Sequence, residues 1–103
     1  MIKYKKVYIT FFDYDVSDMI MCEMCQHKVR NNIYENDRPP ILSEAVDIHH
    51  ISPRGHSKCD NLNEIPNLVA LCRACHCKAE SNKSYNKQIQ IVHLKNIIKK
   101  LEQ

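Results

Sequence analysis

The chain has almost no glycine, one residue in 103, and it has no tryptophan. The single glycine, Gly55, falls in the polar stretch of residues 54–63 and marks that stretch as a loop. No apolar run approaches the roughly 18 residues that a membrane span needs, so no membrane role is expected. The opening stretch MIKYKKVYITFFDYD is charged, lacks a long apolar core and has no small-residue cleavage site, so it makes a poor secretory signal. Neither internal repeats nor low-complexity segments occur. Charge of one sign is also scarce: the net +3 permits a nucleic-acid partner without requiring one.

Cysteine, by contrast, is plentiful. Six occur, and four of them form two pairs, Cys22-x-x-Cys25 and Cys72-x-x-Cys75. Four sulfurs from two tight turns match the tetrahedral shell that zinc prefers, which favours thiolate ligands over disulfides. Such a site is normal in a reducing cytoplasm, the expected compartment. A chain this short has room for one small core and needs reinforcement, and a zinc joining its N-terminal third to its centre would supply it. Cys59 and Cys77 are expected to be free thiols, and His27 a surface residue. A structural zinc alone does not identify an enzyme, because a zinc ribbon without other activity uses the same four residues.

The pattern of elements reads as one α+β domain spanning residues 1–103. Residues 2–12 are rich in Ile, Val, Tyr and Phe and read as an N-terminal strand. The first CxxC pair, at residues 21–28, reads as a knuckle, and residues 31–43 as an exposed excursion carrying Pro39-Pro40. Short strands are expected over residues 46–51 and 67–72, followed by a helix from Arg73 to about residue 82. The clearest helix covers about residues 85–102 and is amphipathic. Ile91, Leu94, Ile98 and Leu101 recur at a/d spacing, with Val92 and Ile97 widening the stripe, for packing on the domain or for a homodimer.

The histidines now join the cysteines. His49-His50 on a strand, then Asn67, then Cys72-x-x-Cys75-His76, in that order, resembles the HNH endonuclease family in its zinc-stabilised form. The resemblance covers residues 22–80, most of the chain, and implies that they form the core of a ββα-metal (His-Me finger) domain of two short strands and a helix. It implies that His50 is the general base that takes a proton from the attacking water, a task that suits an imidazole near neutral pH. Asn67 would hold the loop geometry and help orient His50, and His76 would bind a catalytic divalent ion. His49 stands where many members carry aspartate and would be the second ligand. Two imidazoles make a softer site, at which Mn²⁺, Co²⁺, Ni²⁺ or Zn²⁺ would compete with Mg²⁺. Glu80, four residues after His76 on the same helical face, either completes the metal shell or is a solvated charge.

Neighbouring strand residues point to opposite faces, so His49 and His50 share one site only at a twisted strand end, and the two roles could be exchanged. Arg54, Lys58, Arg73 and Lys78 flank the site as candidate phosphate clamps. The implied activity is metal-dependent hydrolysis of DNA phosphodiester bonds, by nicking or double-strand cleavage. Two alternatives compete: a non-catalytic zinc module that binds DNA or protein, and a subunit active only within a larger phage or restriction complex.

Overall fold

The computed structural model describes residues 3–52 and 63–103. Within them the chain forms α1 (Lys3–Phe11), α2 (Glu23–Arg30), β1 (Asp47–His50), a short 3-10 turn (Ile65–Asn67), β2 (Leu68–Leu71), α3 (Arg73–Ser81) and α4 (Lys83–Leu101). The two strands pair antiparallel, with His49 opposite Val69 and His50 opposite Leu68. The architecture is therefore the expected small mixed fold: a two-stranded sheet with helices on both faces. Among the described residues, no helix is long and apolar enough to cross a membrane.

β2 is buried at all four positions, LVAL, because both of its faces are covered. Val69 and Leu71 join a cluster with the four paired cysteines, Met24, Ile51, Ala79, Tyr85, Ile89 and Val92. Leu68 and Ala70 face the other way, onto Tyr8 and Ile9 of α1. The sheet thus separates a zinc-side core from an N-terminal core.

The N-terminal segment is a helix, not the expected strand. Its β-branched and aromatic content favours a strand locally, but Tyr4, Val7, Tyr8 and Phe12 fall at i, i+3, i+4 and i+8 and pack in one cluster with Leu68 and Ala70 of β2. That spacing gives one apolar stripe for β2 to bury, and the tertiary contact overrides propensity. The first CxxC pair likewise starts a helix, since Cys22 is the residue preceding α2 and Cys25 lies in its first turn.

Among the described residues, which do not include the single glycine, the left-handed backbone positions fall to Asn and Asp: Asp13, Asn32, Asn36 and Asp37 all have positive φ. Asp13 and Asn32 close α1 and α2 in the same way. After α1, the Tyr14 N–H bonds to the Ile9 carbonyl at 2.8 Å, and after α2 the Ile33 N–H bonds to the Lys28 carbonyl at 2.9 Å. Asn36-Asp37 forms a tight turn in which Glu35 and Arg38 exchange backbone hydrogen bonds at 3.1 and 2.9 Å.

α4 forms as expected but buries another face. Tyr85, Ile89, Val92, His93 and Ile97 pack inward, while Ile91, Leu94, Ile98 and Leu101 lie exposed. The inward face was obscured by its polar members. His93 is fully buried, as is Glu23 of α2, and His93 Nδ1 lies 2.9 Å from Glu23 Oε1. His93 Nε2 donates to the Ile65 carbonyl at 2.7 Å. Glu23 also accepts from the Tyr8 hydroxyl at 2.5 Å, from Asn96 Nδ2 at 2.8 Å and from the Ala70 N–H at 3.4 Å. Burial, then the Glu23 charge, pushes the Tyr8 phenol well up, so it remains a donor. The buried carboxylate therefore ties α1, α2, β2 and α4 together.

Removing His93 would take one of several donors from the buried Glu23 carboxylate and leave the space of a buried ring. His93→Ala should cost about 2–4 kcal/mol. Urea unfolding at constant zinc occupancy measures it, and a loss under about 1 kcal/mol would show that the cluster is dispensable.

Candidate metal centres

The four paired cysteines converge. Cys22, Cys25, Cys72 and Cys75 are all buried, and their sulfurs lie within 4.8 Å of one another. A tetrahedral zinc with Zn–S bonds near 2.3 Å sets its sulfurs about 3.8 Å apart. The Sγ of Cys25 is 3.8 Å from that of Cys72 and 4.0 Å from that of Cys75, so the cluster fits a zinc site. Local structure explains the convergence. Cys22 and Cys72 each occupy the position just before a helix, and their partners sit one turn in, where the helix N-terminus favours thiolate.

α4 supports this centre from outside. The Tyr85 hydroxyl donates to Cys75 Sγ at 3.3 Å and accepts from Lys28 Nζ at 2.9 Å, and Lys28 pairs with Glu35 at 2.7 Å. Lys78 lies 4.4 Å from the centre of the Tyr85 ring, so it is engaged on the zinc side of α3. Cys77 is exposed, as expected. Burial, then Lys95, Arg30 and Lys28, holds the His27 imidazole below its ordinary range.

The second constellation lies at the seam of β1, α3 and α4. Strand alternation splits the histidine pair. His49 faces α3, with its ring centre 5.0 Å from that of His76. His76 Nδ1 contacts Asp47 Oδ2 at 3.0 Å, and its Nε2 contacts Glu80 Oε1 at 2.8 Å, as the helical i, i+4 spacing predicts. His76 thus meets His49, Asp47 and Glu80 in turn, whereas among the described residues the four cysteines are the group whose donor atoms all converge on one point. Imidazoles and carboxylates are ligand types that suit a divalent transition ion.

His50 faces the α1 side. Its ring meets Tyr4 edge-on, with centres 4.7 Å apart, and its Nε2 lies 2.9 Å from Asn63 Oδ1. Asn67 clamps the chain just after β1. Its Oδ1 accepts from the Ser52 N–H at 2.7 Å, its Nδ2 donates to the Ser52 carbonyl at 3.1 Å, and its own carbonyl accepts from the Ile51 N–H at 3.0 Å. Arg73 is exposed at the start of α3, while Arg54, Lys58 and Cys59 lie outside the described residues.

His49 is mostly buried, and its Nε2 lies 2.9 Å from Asn86 Oδ1. Desolvation is the main reason its pKa is lowered. The Asn86 hydrogen bond opposes that shift and the neighbouring His76 adds to it. The neutral form, the one that ligates metals, is therefore favoured. Three residues of this site escaped sequence reasoning: Asp47, Asn63 and Asn86. Asp47 was legible, because it stands two residues before His49 on one strand and so shares its face. The two asparagines come from a connection and from α4, where no spacing rule pairs them with a histidine.

Two metal-centred helix starts and a ββα unit define a zinc-stabilised His-Me finger type of domain. The HNH endonuclease family model matches residues 22–82, more than half of the chain, and the protein belongs to that family. Searches of curated proteins and of solved structures each return no match. The family assignment makes this a nuclease-type domain.

Burial, then the nearby Cys75, pushes the Cys25 thiol up to about 11 without metal, so zinc uptake at neutral pH displaces its proton. Apparent zinc affinity should therefore rise with pH between about 6 and 8 in a chelator competition. Tyr85→Phe should weaken zinc about 10- to 100-fold. An affinity that falls with rising pH would contradict the thiolate assignment.

Proposed function

We propose that the protein is a metal-dependent endonuclease that hydrolyses DNA phosphodiester bonds. The observation that carries this reading is the meeting of His76 with His49, Asp47 and Glu80 beside a histidine at the end of the same strand. His49 and His76 would hold a catalytic divalent ion, with Glu80 as the further ligand and Asp47 in contact with His76. An ionised carboxylate only accepts hydrogen bonds, so to bind the ion a ring nitrogen of His76 would give up its contact with Asp47 or Glu80. When bound, such an ion supplies the electrophile that stabilises the pentacovalent phosphorus and the leaving oxygen.

His50 would act as the general base. It is the last residue of β1 and half-buried, and so more open to water than His49. Its Nε2 faces an amide oxygen of Asn63, which leaves Nδ1 to accept the proton of the attacking water. Neighbouring residues on opposite faces can still flank one phosphate where the strand ends. Asn67 supports this by fixing Ile51 and Ser52, the two residues directly after His50. Arg73, exposed at the start of α3, would meet the phosphate backbone and make binding salt-dependent.

The test is a supercoiled-plasmid assay on zinc-loaded protein supplied with magnesium, manganese, nickel or cobalt. Wild type should give nicked or linear product, and His50→Ala should lose about 10²- to 10⁴-fold in rate with zinc content unchanged. His76→Ala should abolish the metal-dependent cleavage, with zinc content unchanged. Tight DNA binding without cleavage under any metal would instead indicate a non-catalytic module or a subunit awaiting its complex.

A further inference from the structure

His49 is met from α4 by one side chain, Asn86, and that contact fixes more than a distance. Amide oxygen and nitrogen are ordinarily interchangeable in a side chain such as asparagine, and a histidine tautomer is then equally open. Here a backbone group resolves both. One end of the Asn86 amide lies 2.9 Å from the carbonyl oxygen of Ile51. A carbonyl can only accept, so the Asn86 atom facing it is Nδ2, the donor. The other end, 2.9 Å from His49 Nε2, is therefore Oδ1, which can only accept. The hydrogen of a neutral His49 ring must then sit on Nε2. Nδ1 is left as the nitrogen with the lone pair.

We infer that Asn86 is a positioning residue that holds His49 in its Nε2–H tautomer and so presents Nδ1 as the metal-binding atom. The inference rests on the reading of His49 as a ligand of the catalytic ion. A ligating imidazole whose second nitrogen is hydrogen-bonded has a fixed ring orientation, and loss of such a partner commonly weakens metal binding about 10- to 100-fold. Asn86 also bonds to the chain two residues after His49, so one side chain sets both the ring and the backbone that leaves the strand. It lies on α4, beyond residue 82, where the family match ends. Its neighbour Tyr85 donates to Cys75 of the zinc cluster, so consecutive residues of α4 reach the two metal centres.

The first arm of the test is long-range ¹H–¹⁵N NMR of the histidine rings in zinc-loaded wild type near neutral pH. His49 is assigned by the loss of its signals in His49→Gln. An Nε2–H tautomer is expected, and an Nδ1–H tautomer would overturn the inference without any variant being needed. In Asn86→Ala the tautomers should mix, whereas Asn86→Asp, which keeps an acceptor at Nε2, should retain the wild-type pattern. An unchanged pattern in Asn86→Ala, with zinc content and backbone spectrum intact, would also overturn it.

The second arm is calorimetric titration of the same zinc-loaded proteins with manganese or nickel. Affinity should fall about 10- to 100-fold in Asn86→Ala and recover in part in Asn86→Asp. Equal affinity in wild type and Asn86→Ala would sink the positioning role. If wild type takes up no second ion, the reading of His49 as a ligand fails. In that case the tautomer measured in the first arm still decides what Asn86 does to His49.

Discussion

Four thiolates closing on one point are the constraint from which the rest of the structure follows. Cys22 and Cys25 open α2, Cys72 and Cys75 open α3, and a zinc at their centre would join segments that lie 47 positions apart at Cys25 and Cys72. That join sets the angle at which α3 leaves β2, and α3 carries His76 and Glu80. The contacts of His76 with Asp47, His49 and Glu80 thus depend on how the helix that opens with Cys72 and Cys75 lies against the strand that carries Asp47 and His49.

The step from Cys22 to Glu23 extends the constraint to the far side of the sheet. A zinc ligand and a buried carboxylate are adjacent in sequence, so holding the first delivers the second into the interior. There the carboxylate needs Tyr8, Asn96 and His93 to satisfy it. A buried charge that organises four elements adds little net stability of its own. It leaves few alternative ways to dock α1 and α4, since any other docking would orphan it. His93 carries the restraint onward through the Ile65 carbonyl to the turn that ends in Asn67, and Asn67 grips the chain just after His50.

Much of this was legible in the sequence, and the failures have physical causes. The zinc ligands, the two strands and α3 could be read because CxxC spacing and short apolar runs are local signals. So could the likeness between the His49-to-His76 segment and a nuclease family. α1 was misread because residues that favour strands occurred at helical spacing, and packing against β2 decided between the two. The buried face of α4 was misread because His93 and Asn96 look like surface residues until Glu23 is known to lie opposite them. Asn63 and Asn86 gave no signal, since each acts on a histidine 13 or 37 positions away through a contact made only in the folded chain.

The scarcity of glycine has a consequence for the unfolded chain. Glycine loses more backbone freedom on folding than any other residue. By filling its left-handed positions with Asp13, Asn32, Asn36 and Asp37, the protein keeps its denatured ensemble narrower than a glycine-rich chain of equal length. The cost moves to the native side as modest strain at each of those four backbones. For a domain whose core is this small, part of its stability is therefore set by the conformations its unfolded state cannot reach.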